Sequence, residues 1–261
     1  MTRILVFDSG VGGLSIADAI VAAGLDAEID YVADNAWLPY GEKSDADLRA
    51  RVPAVIAAAA ARLAPDVVVV ACNTASTIAL DAVRATLSIP VVGVVPPIKP
   101  AAAQSRTRVI GLLATPATVR RPYTDDLIAR HAADVRVVRY GSSALVLAAE
   151  ARLAGRPADP SAIKDAVDGL FGAPGGGDID AVALACTHFP LLVDALRAAA
   201  PRPALWLDSG AAVARRTRDV SGARDGVARP GAVWCTDAAR CAALTTATAS
   251  RGYMAARALA V

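Results

Sequence analysis

The chain has 261 residues, of which 55% are hydrophobic and only 4% aromatic, and its formal net charge is +2. So small a charge excludes a strongly basic protein and argues against a nucleic-acid or membrane partner, which indicates a protein that acts on a small molecule. A core of Ala, Val, Leu and Ile favours α/β architecture. At about 150 residues per domain, two domains are expected.

The first part of the chain alternates apolar, β-branched runs with Ala-rich stretches that are typical of helices. In order it contains "RILVF", "GLSIADAIVAAG", "EIDYVA", a helix that opens at "SDAD", "DVVVVA", "TASTIALDAVRATL" and "IPVVGVV". Ser44 and Asp47 fit a capping box at the start of that helix. Alternation of this kind predicts βαβ units and a parallel sheet.

A second series begins near residue 108 and repeats the order of the first. It contains "RVIGLLA", a helix from about 116 to 132, "DVRVVRY", helical stretches to about 172, "DIDAVALA" and "FPLLVDALRAAA". Corresponding strands of the two series lie at similar offsets along the chain. We therefore predict an α/β protein of two similar lobes. Each lobe is expected to be a parallel-type sheet flanked by helices, related to the other by a pseudo-twofold axis, with the active site in the cleft between them.

The boundary between the lobes is predicted from prolines. The prolines of "VVPPIKPA", residues 94–101, forbid a continued helix or central strand and indicate a crossing point. "PRPALWLDSG", residues 201–210, indicates the return, because its "LDSG" echoes the earlier "FDSG". We expect a discontinuous first lobe of residues 1–97 plus 207–261 and a second lobe of residues 98–206. The lobes are expected to hinge near 94–101 and 201–206.

The amino terminus and the cysteines bear on location and metal binding. "MTRILVFDSG" leads directly into a strand without a secretory pattern, and the apolar stretches are interrupted, which predicts a cytoplasmic protein without a membrane span. The cysteines Cys72, Cys186, Cys235 and Cys241 form neither a CxxC pair nor a zinc-binding spacing. We predict free thiols and no metal site, with Cys235 and Cys241 packed in the core.

Two of the cysteines end apolar runs in similar contexts, "VVVVACNTAST" at 67–77 and "AVALACTHFPLL" at 181–192. Ligands bind at the carboxyl ends of parallel strands, so Cys72 and Cys186 are expected to face the cleft. A helix N-terminus after each thiol would lower the pKa of that thiol and make it a credible base. Two opposed thiols suit a racemase, because one removes the Cα proton from one face and the other returns a proton to the opposite face.

The glycine-rich stretch after the first strand allows more than one interpretation. Asp8 and Ser9 either hold a substrate ammonium group or a cysteine, or they cap the helix that starts near Gly13. "GVGGLS" also resembles a dinucleotide-binding loop. That reading is weak, because Ser15 stands where the third glycine is needed and Asp8 would repel a pyrophosphate.

Three further features allow two interpretations each. "DNAWLPYG", residues 34–41, is either an ordinary turn or lines the cleft through Tyr40 and Gly41. His188 is either a structural hydrogen-bonding residue or a catalyst beside Cys186. Glu150 would ordinarily be a solvent-exposed carboxylate on a helix.

Taken in order, "FDSGVGGLS", "ADNAWLPYG", "ACNTAST", "LLATPATV", "LACTHFPLL" and the late "LDSG" resemble the cofactor-independent glutamate racemases of the aspartate/glutamate racemase superfamily. The resemblance covers nearly the whole chain. It implies interconversion of L- and D-glutamate by a two-cysteine, two-base proton transfer at Cα, without pyridoxal phosphate, any other cofactor or a metal. The product would supply bacterial peptidoglycan, and thus cell wall biogenesis and cell shape. The resemblance leaves a homodimer open.

The same resemblance implies roles for individual residues. Cys72 would serve the D-enantiomer and Cys186 the L-enantiomer, with Asp8, Glu150 and His188 as auxiliary acid and base groups. The residues implied in substrate binding are Asp8, Ser9, Pro39, Tyr40, Gly41, Cys72, Asn73, Thr74, Thr115, Thr118, Cys186, Thr187 and His188. One departure lies near Glu150, where Ser142 and Ser143 stand in place of the Cys-Pro of many members.

Other functions remain open at the level of sequence. An aspartate racemase, a hydantoin racemase or a malonate decarboxylase of the same superfamily would share much of the pattern. A cysteine hydrolase could use Cys72 with His188, because thiolate–imidazole pairs activate nucleophiles, but it would leave Cys186 unexplained. A non-catalytic module that binds an amino acid would also suit a cleft lined with Ser, Thr, Asn and Asp. The paired thiols favour turnover over binding alone.

Overall fold

A computed structural model describes all residues from 1 to 261, in which strands and helices alternate along the chain. The strands are β1 Thr2–Asp8, β2 Ala27–Ala33, β3 Val67–Val70, β4 Val91–Gly93, β5 Val109–Ala114, β6 Arg136–Gly141, β7 Ala181–Leu184, β8 Leu205–Leu207, β9 Arg229–Cys235 and β10 Arg257–Ala258. The helices are α1 Leu14–Ala22, α2 Asp45–Leu63, α3 Asn73–Thr86, α4 Ile98–Gln104, α5 Pro116–Val119, α6 Pro122–His131, α7 Ala144–Leu153, α8 Pro160–Phe171, α9 Val193–Ala199, α10 Gly210–Ser221 and α11 Cys241–Ala249. No helix is both long enough and apolar enough to span a membrane.

The strands form two parallel sheets that share one connectivity. The first sheet has the order β10-β9-β2-β1-β3-β4 and the second β6-β5-β7-β8. Within the first, the run β2-β1-β3-β4 matches the whole of the second, because in each the first strand of the series lies between the second and the third. This confirms the α/β class and the two similar lobes.

Both faces of the central strands β1, β3, β5 and β7 are largely buried, which explains their apolar runs. In the first sheet, Val67 and Val69 pack with residues of α1 and α10, whereas Val68 and Val70 pack with residues of α2 and α3. The second sheet likewise divides its side chains between two clusters. A strand covered on both faces has no polar side, so its sequence lacks the alternation of a half-exposed strand.

The helix expected over about 116 to 132 is instead two helices, α5 and α6. They are separated by Arg120 and Arg121, and Arg121 is extended, with φ −76° and ψ 139°. Pro122 is the physical reason, because the ring of a proline disfavours helical backbone at the residue before it. By contrast, the predicted start of α2 is confirmed, since the Ser44 hydroxyl accepts a hydrogen bond from the Asp47 amide at 3.1 Å.

The expectation of four free thiols was wrong for one pair. Cys235 and Cys241 form a disulfide, whereas Cys72 and Cys186 are free. Cys235 ends β9 and Cys241 begins α11, and the short loop between them returns the chain so that the two Cα atoms lie 6.0 Å apart. That separation is within the range that a disulfide can bridge. The spacing of the two cysteines in the sequence did not predict that the loop between them would bring them together.

The division into lobes 1–97 plus 207–261 and 98–206 remains a proposal. The strands of the first sheet, within residues 2–93 and 229–258, support it. Those of the second lie within 109–207 and agree except at Leu207, the last residue of β8, which pairs with β7. The crossings between the sheets are therefore the segments on either side of α4 and after β8.

Candidate active site

The two free thiols occupy equivalent positions on the two sheets. Cys72 comes two residues after the end of β3, and Cys186 comes two residues after the end of β7. Both are only 6% exposed, and both line one narrow cavity of about 20 Å³ that receives residues from both sheets, which we call the interlobe cavity. It has room for one or two water molecules at most, at roughly 10–15 Å³ each.

Most of the predicted binding residues meet at this cavity. Its lining consists of Ser9, Pro39, Tyr40, Gly41, Cys72, Asn73, Thr74, Thr115, Val146, Ala185, Cys186, Thr187 and His188. Two predicted residues, Asp8 and Thr118, are fully buried behind it, and Thr118 lies 2.9 Å, hydroxyl to hydroxyl, from Thr115. Val146 and Ala185 were missed. Ala185 could have been found as the counterpart of Ala71 in the repeat, whereas the place of Val146 depends on how α7 packs.

Cys72 precedes α3 and has the environment of a protonated thiol. Burial raises the pKa of Cys72, and the charge of Asp8 raises it further, while the Ala75 amide and the Ser9 hydroxyl oppose the shift. The Ser9 oxygen lies 3.9 Å from the sulfur. The expectation of a lowered pKa at this helix start is therefore wrong for Cys72, because the loss of water around the thiolate outweighs the helix amides.

Cys186 has a different neighbour set. No α-helix starts beside it, because the 3-10 helix Phe189–Leu192 intervenes before α9. Its sulfur lies 3.9 Å from His188 Nδ1, and His188 Nε2 donates to Glu150 Oε1 at 2.7 Å. Burial would lower the pKa of His188, but its hydrogen bonds to Cys186 and Glu150 raise that pKa well above its ordinary value. The result is an imidazolium held between a sulfur and a carboxylate.

Asp8 is a buried carboxyl that joins the two lobes. It accepts hydrogen bonds from the Gly10 amide at 2.8 Å and from the Thr187 hydroxyl at 3.0 Å. Burial raises the pKa of Asp8, although the charge of His188 and the Gly10 hydrogen bond act against that shift. It does not cap α1, which begins at Leu14 with no side-chain cap. The interpretation of Asp8 as a simple helix cap is thus wrong.

Glu150 faces the protein interior rather than solvent. Its Oε1 accepts from His188 and from the backbone amide of Val11, at 2.7 and 2.8 Å, and its side chain is 17% exposed. It lies behind His188 rather than on the lining of the interlobe cavity. The ordinary interpretation of a solvated carboxylate was wrong, because α7 of the second lobe turns this residue toward the glycine loop of the first.

The glycine loop is packed too closely to hold a dinucleotide. A Cβ atom at Gly12 would lie 2.7 Å from the Thr187 hydroxyl and would overlap the ring of His188. The space that a pyrophosphate would need is therefore filled by the second lobe. The glycines serve instead to let the two lobes meet.

The floor of the cavity carries an unpaired donor. Asn73 begins α3, and its side-chain Nδ2 is buried without a hydrogen-bond partner. A buried donor of this kind costs free energy unless a ligand supplies an acceptor. Together with the adjacent amides of α3, which no side chain caps, it forms a surface suited to a carboxylate. The site thus combines two thiols on opposite lobes with donors for an anionic substrate.

Comparison with known proteins identifies a family for this chain. The family described as Asp/Glu/hydantoin racemase matches residues 14–217. The chain is 52% identical to the glutamate racemase of Sphingopyxis alaskensis over 227 residues, 87% of this chain and 84% of that protein. It is 50% identical to the glutamate racemase of Pectobacterium carotovorum over 214 residues, 82% of this chain and 74% of that protein. Its fold superposes on the structure of Escherichia coli glutamate racemase in complex with L-glutamate and the activator UDP-MurNAc-Ala, with a TM-score of 0.92. The two sequences are 40% identical, and the match covers 100% of this chain and 98% of that one.

Proposed function

The chain belongs to the Asp/Glu/hydantoin racemase family and is an isomerase that interconverts L- and D-glutamate, and we propose that Cys72 and Cys186 are its two bases. One observation carries the proposal: the two free thiols follow equivalent strands of two sheets with the same connectivity and line one cavity. Equivalent placement on opposing lobes gives each sulfur access to a different face of the same Cα atom.

We propose that Cys186 takes the first step for L-glutamate, because the raised pKa of Cys72 favours that sulfur as the proton donor. The Cys186 thiolate takes the Cα proton and leaves the electron pair on Cα, and the Cys72 thiol then gives its proton to the opposite face. The product is D-glutamate, with Cys186 as thiol and Cys72 as thiolate, ready for the reverse reaction. We assign Glu150 to holding His188, and His188 to stabilising negative charge on Cys186.

A carbanion at Cα needs strong electrostatic stabilisation. We propose that the substrate α-carboxylate lies at the start of α3, where Asn73 Nδ2 has no partner and no side chain caps the helix, with Thr74 beside it. Donors fixed in advance inside a cavity that excludes water stabilise developing charge far more than donors in water do. Ser9, Pro39, Tyr40, Gly41, Thr115 and Thr187, which line the cavity, would complete the binding site. Asp8 and Thr118 would support it from behind the lining, through their hydrogen bonds to Thr187 and Thr115.

In the cell we propose that the enzyme acts in the cytoplasm as a cofactor-independent racemase that supplies D-glutamate for peptidoglycan, and that glutamate is its small-molecule partner. Its weak net charge supports the absence of a nucleic-acid partner. A homodimer remains a proposal, and sedimentation of the purified protein would decide it.

The test is proton exchange. Cofactor-free, metal-free protein is incubated with L-glutamate in deuterium oxide, and loss of the Cα–H signal and of optical rotation is followed. We expect the parent to lose both the Cα–H signal and the optical rotation. In Cys72→Ala and in Cys186→Ala we expect no racemisation and incomplete exchange. The Cys235→Ala/Cys241→Ala variant is the matched control, because it removes two sulfurs outside the cavity and should racemise like the parent.

The outcomes separate the alternatives. A single-cysteine variant that still racemises glutamate would contradict the two-base mechanism. Turnover of aspartate or a hydantoin in preference to glutamate would favour another activity of the superfamily. Unchanged glutamate binding without exchange in the parent would favour a binding module.

A further inference from the structure

A buried ion pair lies behind one wall of the interlobe cavity. Asp34 follows β2 and is fully buried, and its carboxylate accepts four hydrogen bonds. The donors are the Tyr40 hydroxyl at 2.7 Å, the Thr236 hydroxyl at 2.6 Å, and Arg51 through Nε at 3.1 Å and Nη2 at 2.8 Å. Arg51 is the one cationic side chain in contact with this carboxylate, so the buried charge depends on it.

Arg51 does not touch the cavity. It lies on α2, its side chain is 18% exposed, and its guanidinium sits 5.4 Å from the centre of the Trp37 ring. Its hydrogen bonds to Asp34 raise the pKa of Arg51, although burial acts against them, so it stays charged. Arg51 thus fastens the segment between β2 and the 3-10 helix Tyr40–Glu42 to α2 by a bidentate bond and a cation–π contact.

Tyr40 connects the Arg51–Asp34 pair to the interlobe cavity. Its side chain is 1% exposed, and it lines the interlobe cavity with Pro39 and Gly41. Because its hydroxyl proton points at Asp34, the ring has one fixed orientation in the wall. Burial and the charge of Asp34 raise the pKa of Tyr40, so the group is a neutral phenol that donates to the carboxylate.

We propose that Arg51 is a positioning residue for substrate binding, which acts through Asp34 and Tyr40 to hold the Pro39–Tyr40–Gly41 wall of the cavity. This rests on the proposed site, because it assigns these three residues to the substrate. Without the guanidinium, a buried carboxylate lacks its counter-charge and must gain a proton or move. A neutral carboxyl accepts the Tyr40 hydrogen bond more weakly than a carboxylate does, and a displaced one no longer reaches the hydroxyl, so in either case the wall is held less firmly.

The chain supplies a control pair near the opposite end of β2. Arg3 binds Asp30 on β2 through Nε at 2.6 Å and Nη2 at 3.2 Å, and the Asp30 side chain is also fully buried. This is also a bidentate Arg–Asp pair, although Arg3 binds Glu28 as well, at 3.1 Å, and neither Arg3 nor Asp30 lines the cavity. If both buried Arg–Asp pairs matter only for folding, Arg3→Gln and Arg51→Gln should behave alike.

The experiment measures KM and kcat for both enantiomers and the thermal unfolding midpoint in Arg51→Gln, Arg51→Lys and Arg3→Gln. Both Gln variants should unfold at a lower temperature. We expect Arg51→Gln alone to raise KM, by about tenfold or more, the effect of losing a charge-assisted hydrogen bond, with a smaller change in kcat. Arg51→Lys keeps the positive charge but cannot form the bidentate hydrogen bond, so its KM should lie between those of the parent and Arg51→Gln.

Equal KM values in Arg51→Gln and Arg3→Gln would overturn the proposal, as would a loss confined to kcat. If Arg51→Gln does not fold, the Lys variant decides, because an unchanged KM there would contradict a role for the bidentate geometry. Failure of the proposed site is distinguishable, since it would appear as racemisation that survives in Cys72→Ala or Cys186→Ala, whatever Arg51 does.

Discussion

The two sulfurs of the interlobe cavity are alike in sequence but unlike in surroundings. Cys72 is buried beside Ser9 and near the carboxyl of Asp8, so its proton is held tightly. Cys186 lies beside His188, which is itself backed by Glu150. A cation next to one sulfur and a carboxyl near the other make the resting site asymmetric. This asymmetry suits a reaction in which one group accepts a proton while the other donates one.

The charge on His188 should make stability depend on pH. Because its pKa is raised in the folded protein, the folded state keeps a proton that the unfolded state releases above about pH 6.5. The stabilisation is complete below that pH and is lost as pH rises through the higher folded pKa. We expect the free energy of unfolding of the parent to fall more steeply between about pH 6 and pH 9 than that of His188→Asn. Urea titrations measure it, and parallel curves would contradict the assignment.

At the scale of elements, loops rather than strands bring the lobes together. The glycine loop after β1 and the segment after β7 meet so closely that Gly12 has no space for a side chain. The hydroxyl of Ser15, on α1, donates to the Thr187 carbonyl at 2.9 Å. Short loops at strand ends therefore serve both as the cavity wall and as the contact between lobes. Adding one methyl group to such a loop should lower kcat/KM.

Gly12→Ala tests that contact. The new Cβ would push against His188 and Thr187, so we expect kcat/KM to fall by about a hundredfold, the usual cost of displacing a catalytic group by roughly 1 Å. Gly177→Ala is the matched control, because a Cβ there meets nothing within 4 Å. Steady-state racemisation and thermal unfolding of both variants give the comparison. Equal kcat/KM values would show that the loop tolerates separation.

At the scale of the whole molecule, the two lobes are joined by crossings and by contacts across the cavity. The Ser209 hydroxyl donates to the Val95 carbonyl at 2.6 Å and so links the two crossing segments. Near the site, Val11 binds Glu150 of the other lobe. The cavity between them is narrow, and its lining comes from both lobes. We therefore expect substrate to enter while the lobes are apart.

Closure is testable by solution scattering. We expect the parent to have a smaller radius of gyration with saturating D-glutamate than without it, because the substrate supplies contacts to both lobes that favour the closed arrangement. Glycine, which lacks the side-chain carboxylate, is the control ligand and should leave the profile unchanged. Identical profiles with and without glutamate would count against a hinge at the crossings between the two sheets.

The sequence by itself determined the parallel α/β class, the repeated strand order and the pairing of Cys72 with Cys186, because apolar runs, turn residues and the placement of polar groups at strand ends are local signals. Other features were decided only by tertiary structure. Glu150 could be read from the sequence as a solvated helix carboxylate or as an auxiliary group, and only the fold brings it, 17% exposed, to His188. Cys235 was expected as a free thiol and is paired, and Val146 reached the cavity wall without any local sign. In each case the outcome depends on how distant elements pack, and the raised pKa of Cys72 arises from the same burial, which no spacing along the chain encodes.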